Sequence, residues 1–256
     1  MRITLINRTE PAIELLIFTK NTRLTMSPAG LEEIKGWPDE RKMKELEYMA
    51  NTIPSSHEFV TYVFMIEEVS IACARQIMRS RHASYAQQSL RVTDVSSGWG
   101  YTKGPTITGD VEEHYDEMMR ECADDYKYLI KMGASIEDAR GILPLNMHTN
   151  FVMKIDMRNF IDLVHKRTSP RVQGEYRNVL KAMQNEVMAV HPWMHLFLRR
   201  TFDQAAVDLD NKIMDFDPIS MVISNVEGGD VRIDQGKLSQ FKTDLIKLVD
   251  QLRAKQ

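Results

Sequence analysis

The sequence predicts an α+β fold, in which β-strands and amphipathic helices are interspersed along one large domain. Two runs rich in β-branched, aromatic and other apolar residues, Val60–Ile66 and Phe151–Ile155, are typical of strands. Two long segments, Val111–Met132 and Gly174–Val190, are predicted as helices, and the first of them is clearly amphipathic. A chain of 256 residues is also long enough to bury a sizeable core.

The N-terminal part is predicted to contain strands at residues 3–6 and 13–18, separated by a turn at Glu10-Pro11. The next element is a helix from Pro38 to Ala50. Its proline and acidic residues occupy the first turn, and its apolar residues share one face.

In the middle of the chain, Ser70 is expected to cap a short helix that ends near Met78. The glycine-rich segment Ser96–Gly109 lacks the spacing of a dinucleotide fingerprint and is predicted to be a mobile loop. Gly133 should close the long amphipathic helix. The segment Ser135–Asp138 resembles a capping box that opens the following helix.

Towards the C-terminus, a helix is predicted over Asn159–Arg167, and the helix after it should stop near His191-Pro192. Residues 220–235 are predicted to form two short strands around a Gly-Gly turn. From Lys237 the leucines and one phenylalanine step by three and four, which predicts an amphipathic helix. That helix could dock on its own domain or on another subunit.

Composition excludes several classes of protein. A net charge of -3 argues against a protein that binds nucleic-acid polymers without sequence preference, because such proteins are normally basic. No apolar run reaches 18 residues, and no leader is recognised, so no membrane association is expected. Cys73 and Cys122 form no disulfide framework and are expected to be buried free thiols in a cytoplasmic protein. His191 and His195 are separated by a proline, so no metal site is expected.

The most informative stretch runs from Ala74 to Thr93. It contains four arginines, one histidine, three serines and three glutamines, without any acidic residue. It directly follows an apolar run, and guanidinium groups suit phosphate and the edges of planar heterocycles. The stretch therefore predicts an anion site, although a solvated basic loop or one end of a salt-bridge network remains an alternative.

Three sequence blocks carry a family resemblance. Arg79-Ser80-Arg81 is followed by seven residues and then by Ser89, with an arginine two positions beyond. The second block is the Asp138–Asn146 segment, with Ala-Arg, a Gly-Ile pair and then Leu-Pro-Leu-Asn, and the third is Arg167–Glu175. In this order the blocks resemble those of the flavin-dependent thymidylate synthases, over roughly residues 10–200. The resemblance implies a mainly antiparallel sheet flanked by helices, a catalytic domain over 1–205 and a C-terminal extension over 206–256.

The resemblance also implies a set of site residues. Arg167 is the catalytic candidate, because the family's arginine at this position meets the uracil edge and favours ionisation at N3. Its alternative role is a structural ion pair with Glu175 or Asp162. Substrate-binding positions are Gln76, Arg79, Gln87, Ser89, Leu90, Arg91 and Arg140. Cofactor-binding positions are Ser55, Arg79, Ser80, Arg81, Gln87, Asp156 and Asp162. The two acids could instead be a solvated loop acid and a helix-face acid.

The implied reaction methylates dUMP to dTMP, with FAD as cofactor and with methylenetetrahydrofolate and NADPH as co-substrates. It needs no cysteine nucleophile, which agrees with the setting of both thiols. Family members are homotetramers, so the same assembly is expected here.

The chain also departs from the family pattern. Ser80 stands where the family has histidine, Ile53 and Phe59 stand where two more histidines are common, and Val92 replaces a tyrosine. These departures leave two alternatives open. One is a related enzyme that methylates or hydroxymethylates another pyrimidine nucleotide such as dCMP, and the other is a non-catalytic nucleotide-binding protein.

Overall fold

The computed structural model describes residues 1–22, 26–52, 54–168, 172–198, 222–223, 232–233 and 235–253. Two compact units divide the chain, residues 1–198 and 199–256. No helix in these ranges is both long and apolar enough to cross a bilayer.

The first unit contains four strands and nine α-helices within the described ranges. The strands are β1 (Arg2–Arg8), β2 (Thr61–Ser70), β3 (Ala83–Gln87) and β4 (His148–Asp156). The helices are α1 (Ala12–Lys20), α2 (Pro28–Lys35), α3 (Asp39–Ala50), α4 (Ile71–Ile77), α5 (Asp110–Lys131), α6 (Ile136–Ala139), α7 (Met157–Arg167), α8 (Gly174–Val190) and α9 (His195–Leu198). Short 3-10 turns occur at Pro54–Phe59, Arg140–Ile142 and Pro192–Met194.

The strands form one antiparallel sheet in the order β1-β2-β4-β3. In register, Phe64 of β2 lies opposite Met153 of β4, which in turn lies opposite Tyr85 of β3. A bulge in β2 places Glu68 at a φ of 57°, just before the strand passes into α4. The class predicted from sequence, α+β with an antiparallel sheet and flanking helices, is confirmed.

One face of the sheet forms the core because side chains alternate along each strand. Tyr62, Phe64 and Ile66 of β2 are fully buried, and they pack with Phe160 of α7 and with α8. The helices α7 and α8 therefore cover the face from which the site is built.

Most elements predicted from sequence are confirmed. The helix at 38–50, the long helix closed by Gly133 at a φ of 93° and the helices at 159–167 and 174–190 are all present. The expected cap is also present, because the Ser70 side chain accepts a hydrogen bond from the Cys73 backbone N–H. Of the predicted capping box at Ser135, the bond from the Asp138 N–H to the Ser135 hydroxyl is present, and the same hydroxyl donates to the Asp138 carboxylate at 2.8 Å.

The strand predicted at residues 13–18 is wrong, because this segment lies within α1. A short apolar run does not distinguish a strand from a buried helix by periodicity alone. Here Leu16 and Ile17 are buried in the core, and Glu14 in the first turn binds Lys42 of α3 at 2.7 Å. Packing against α3 therefore favours the helix. Within the described residues, three further elements were not predicted: α2, β3 and α9.

In the second unit, short strands β5 (Val222–Ile223) and β6 (Arg232–Ile233) pair antiparallel, and α10 spans Gln235–Arg253. The predicted pair of strands and the C-terminal helix are thus confirmed, whereas the Gly228-Gly229 turn lies outside the described residues.

Candidate active site

The arginine-rich stretch is delivered to the surface by α4, and the start of this short helix is firmly anchored. Ser70 caps it, and the Glu175 carboxylate of α8 accepts hydrogen bonds from the Ser70 N–H at 2.7 Å and the Ser70 hydroxyl at 2.6 Å. Thr102 donates a further, longer bond of 3.3 Å to the same carboxylate. Glu175 thereby ties the helix that carries the arginines to α8.

The end of α4 is held by a phenol. The Tyr85 hydroxyl of β3 lies 3.0 Å from the carbonyl oxygens of both Ile77 and Ser80. Burial raises the pKa of this phenol to about 12, so that it is a hydrogen-bond donor at neutral pH. The turn that contains Arg79-Ser80-Arg81 is consequently fixed to the edge strand of the sheet.

This turn faces α7 across a cavity of about 300 Å³. The lining residues come from the turn, from the end of β4 and from one face of α7. They are Arg79, Ser80, Arg81, His82, Ile155, Asn159, Asp162, Leu163, Lys166 and Arg167.

Local hydrogen bonds fix the side chains on the face of α7 that lines the cavity. Asp156 caps the helix through the Asn159 N–H at 2.9 Å, and its second oxygen accepts from the Asn159 side-chain amide at 2.6 Å. Asp162 accepts from Lys166 one turn later at 2.7 Å. Asp156 therefore acts as a helix cap that orients a cavity-lining amide, and Asp162 is a helix-face acid on the cavity wall.

Arg167 ends α7 at the edge of the cavity. Within the described chain, neither acid considered as its ion-pair partner is paired with it, because Asp162 binds Lys166 and Glu175 binds Ser70 and Thr102. Burial raises the pKa of Tyr176, and the nearby side chains of Ser80 and Arg167 partly oppose this shift.

The electrostatics of the cavity favour an anion. Four guanidinium and ammonium groups line it, against the single carboxylate of Asp162, which is already paired with Lys166. Guanidinium groups bind phosphate and carboxylate through parallel hydrogen bonds, and apolar Ile155 and Leu163 supply a surface for a planar ring. This arrangement suits a ligand with a phosphate group and an aromatic system.

A second cationic group lies after β3. The Glu137 carboxylate forms an ion pair with Arg91 at 2.6 Å and lies 3.7 Å from a guanidinium nitrogen of Arg140. The Nε of Arg140 also donates a hydrogen bond to the Glu137 backbone carbonyl at 3.1 Å. The Ser89 hydroxyl accepts from the Arg91 N–H at 3.3 Å. The two arginines predicted to bind phosphate are thus brought together on one carboxylate.

Comparison with known proteins identifies the group to which this chain is related. Residues 4–193 match the family model described as thymidylate synthase complementing protein. The chain belongs to this family. It is 32% identical over 136 residues to a flavin-dependent thymidylate synthase of Saccharolobus solfataricus, which is 53% of this chain and 52% of the relative. It is 29% identical over 203 residues to the enzyme of that name from Geobacter sulfurreducens, covering 75% and 84%.

A third relative of the same name, from Sulfolobus acidocaldarius, is 30% identical over 167 residues, or 62% of this chain and 64% of the relative. The chain spans about half the length of the Saccharolobus relative. All three blocks noted in the sequence lie within the family match, and two of them meet at the cavity.

The structure sorts the predicted family residues into three groups. Arg79, Ser80, Arg81, Asp162 and Arg167 line the cavity, whereas Arg91 and Arg140 meet at Glu137. The remaining predicted residues lie outside the cavity lining: Ser55, Gln76, Gln87, Ser89, Leu90 and Asp156.

Two of the outlying residues have clear partners. The Gln87 amide donates to the Thr149 hydroxyl at 3.0 Å, on the core side of the sheet. The backbone carbonyl of Gln76 accepts from the Arg79 N–H at 3.3 Å, which helps to form the turn. Ser55 is exposed in the 3-10 turn, and Ile53, one of the departures from the family, lies outside the described residues.

Sequence reasoning missed five of the lining residues. Four of them were accessible in principle, because positions 159, 163 and 166 share one face of the predicted helix with Asp162, and His82 directly follows the arginine triplet. Ile155 could not be found in this way, since its place in the cavity lining depends on how β4 meets α7.

Neither thiol lines the cavity, and His82 is the one histidine among its lining residues within the described chain. Cys73 is fully buried, and burial raises the pKa of its thiol to about 12, whereas Cys122 is only half-buried rather than buried as expected. His191 bridges Tyr62 and Glu10, each at 3.1 Å. In the described ranges, no three His, Cys, Asp or Glu side chains are grouped as metal ligands would be.

Proposed function

We propose that this chain is a flavin-dependent thymidylate synthase that converts dUMP to dTMP. The observation that carries the proposal is the meeting of Arg79-Ser80-Arg81 with Arg167 at one cationic cavity, in a chain of this family. The three relatives compared above carry that name.

FAD is the proposed cofactor, and the cavity suits part of it. Arginines and a serine hydroxyl can bind its pyrophosphate, and the apolar patch of Ile155 and Leu163 can contact a ring. When bound, reduced flavin supplies the hydride that completes the methyl group. Methylenetetrahydrofolate as carbon donor and NADPH as reductant are proposed with it.

A cavity of about 300 Å³ is at the lower limit for ligand pockets and is small for a whole dinucleotide. We therefore propose that the site is completed by further copies of the chain in a homotetramer. A stripe of exposed apolar residues along α5 and at the residue that ends it supports this assembly: Val111, Met118, Tyr128 and Met132.

The nucleotide phosphate is proposed to bind Arg91 and Arg140. In the free chain the Glu137 carboxylate engages both arginines, so a phosphate dianion would compete with it for the same guanidinium groups. Arg167 is proposed to lie at the pyrimidine edge. There its fixed positive charge would stabilise the negative charge that develops as the ring is activated.

The alternative substrate dCMP rests on the altered Arg79-Ser80-Arg81 triplet and on Asp156 and Asp162, whose carboxylates could accept a hydrogen bond from an exocyclic amine. Asp156 is committed to capping α7, and Asp162 is paired with Lys166. Neither contact favours an aminopyrimidine over dUMP, so dUMP is the proposed substrate.

The domain limits and the location are also proposals. The family match ends at residue 193, which supports a catalytic domain over 1–205 and an extension over 206–256. Both cysteines are free thiols, as is usual in a reducing compartment, and this supports a cytoplasmic location.

The test is a visible absorbance spectrum of the purified chain with and without added FAD, followed by tritium release from dUMP labelled at carbon 5. The proposal expects bound flavin and folate-dependent release. Bound flavin with tritium release only from labelled dCMP would make dCMP the substrate instead of dUMP. Nucleotide binding without flavin would favour a non-catalytic nucleotide-binding protein.

A further inference from the structure

Tyr176 of α8 is an unusual residue of the core. The residue is 2% exposed, and within the described residues its hydroxyl has no hydrogen-bond partner. A buried hydroxyl without a partner destabilises the folded state by roughly 1–3 kcal/mol. Such a group is uncommon in native proteins and calls for a physical explanation.

The neighbours of this hydroxyl suggest one. The side chains of Ser80 and Arg167 are near enough to this hydroxyl to lower its pKa, although neither forms a hydrogen bond of acceptable geometry with it. Both of them line the cavity. An arginine N–H can only donate, whereas a phenol and a serine hydroxyl can each donate and accept. These three groups therefore have the chemistry of a directed chain, from Arg167 through Tyr176 to Ser80.

The neighbouring phenol, Tyr85, shows what a satisfied hydroxyl looks like at the same place. It lies 3.0 Å from two carbonyl oxygens and holds the turn in position. The turn is thus fixed by one phenol, whereas the hydroxyl of the other has no partner in the described chain.

We propose that Tyr176 is a positioning residue that couples Arg167 to Ser80 when a phosphate-bearing ligand enters the cavity. In the bound state Arg167 donates to the phenol oxygen, the phenol donates to the Ser80 hydroxyl oxygen, and Ser80 directs its own proton to the ligand. The identification of that ligand as the pyrophosphate of FAD rests on the proposed function, whereas the chain of hydrogen bonds does not.

The test compares Tyr176→Phe with Tyr62→Phe in the full-length protein. Tyr176→Phe removes a hydroxyl without a partner, so the melting temperature without ligand should be unchanged or higher, whereas the Kd for FAD, measured by flavin fluorescence, should rise about tenfold. Tyr62→Phe removes a formed bond to His191 and should lower the melting temperature without changing that Kd.

A double-mutant cycle tests the coupling itself. Ser80→Ala should weaken FAD binding by a similar factor, and adding Tyr176→Phe to it should weaken binding little further, because the two hydroxyls act in one chain. Additive losses, or a wild-type Kd in Tyr176→Phe, would overturn the proposal. So would a large loss of ligand-free stability in that variant without any change in Kd.

A second probe separates this inference from the proposed function. If the wild-type protein does not bind FAD, the proposed cofactor is wrong, and inorganic pyrophosphate then tests the coupling by thermal shift. Pyrophosphate should raise the melting temperature of the wild-type protein and raise it less in Tyr176→Phe. An equal shift in both proteins, or no shift in either, would contradict the coupling.

Discussion

At the scale of single residues, the cavity combines side chains whose roles differ although they lie within one turn of helix. Lys166 is neutralised by Asp162 at 2.7 Å, whereas Arg167 is paired with neither of the acids near it in sequence. A charge without a strong partner interacts more fully with a charge that develops on a ligand. Arg167 is therefore the residue at which a substitution should affect catalysis most directly.

We expect Arg167→Ala to bind flavin at saturating FAD and to lower kcat for tritium release by about a hundredfold or more, as for the loss of one electrostatic stabiliser of a transition state. Lys166→Ala is the matched control, because it removes a neighbouring cation whose charge is already balanced. Its kcat should change by less than about threefold. Normal turnover in Arg167→Ala would refute the role given to this arginine.

At the scale of secondary-structure elements, the N-terminus of α7 links helix stability to the cavity. Asp156 satisfies a backbone N–H of the first turn and also holds the Asn159 side-chain amide, which lines the cavity. A similar cap is formed at Ser135, which accepts from the Asp138 N–H at 3.1 Å, and neither of these residues lines the cavity. Of these two caps, only the one at Asp156 lies beside the site.

Replacing Asp156 by alanine should lower the free energy of unfolding by about 1 kcal/mol, the usual loss for a helix cap. It should also weaken flavin binding, because the Asn159 side-chain amide loses the hydrogen bond to Asp156 that orients it in the cavity. The control Ser135→Ala should lose similar stability, measured by urea unfolding, and keep the wild-type flavin Kd. Equal flavin affinity in the two variants would show that Asp156 only stabilises the helix.

At the scale of the whole molecule, the stability of the fold should depend on pH through a buried histidine. His57 is 5% exposed, stacks edge-to-face on Phe197 at 5.0 Å, and its Nε2 has no partner in the described chain. Burial, together with the charge of Arg158, lowers the pKa of His57 from 6.5 to about 4. The folded state therefore binds this proton less readily than the unfolded state does.

Since the folded pKa is the lower one, stability is fully present above about pH 6.5 and should be lost as the pH falls from there towards 4. The loss should amount to about 3 kcal/mol at most. Urea unfolding at several pH values measures it, and His57→Phe should reduce the slope in this window. An unchanged slope in that variant would assign the pH dependence to other groups.

The proposed assembly also belongs to this scale. Introducing a charge in the apolar stripe of α5, with Met118→Glu, should convert the tetramer to smaller species in light scattering and lower flavin content, if copies of the chain complete the site. Glu117→Gln alters the adjacent exposed side chain without adding a charge and should leave the assembly intact. If Met118→Glu remains a tetramer with full flavin content, the apolar stripe of α5 is not the interface between the subunits.

The sequence by itself determined the features that depend on near neighbours. The Ser70 and Ser135 caps, the close of α5 at Gly133 and the helices at 159–167 and 174–190 were predicted correctly, because the groups that form them are a few residues apart. The family blocks were likewise readable from residue types and spacing, and the family match agrees with them.

Only the tertiary structure decided the features that depend on distant contacts. Residues 13–18 form a helix because α1 packs on α3, and part of the arginine stretch forms β3 because β4 offers an edge for pairing. The cavity itself exists because the sheet brings the turn after α4 against α7. Sequence spacing carries no information about such encounters, since the free energy that fixes them comes from burying one face of the whole sheet under helices.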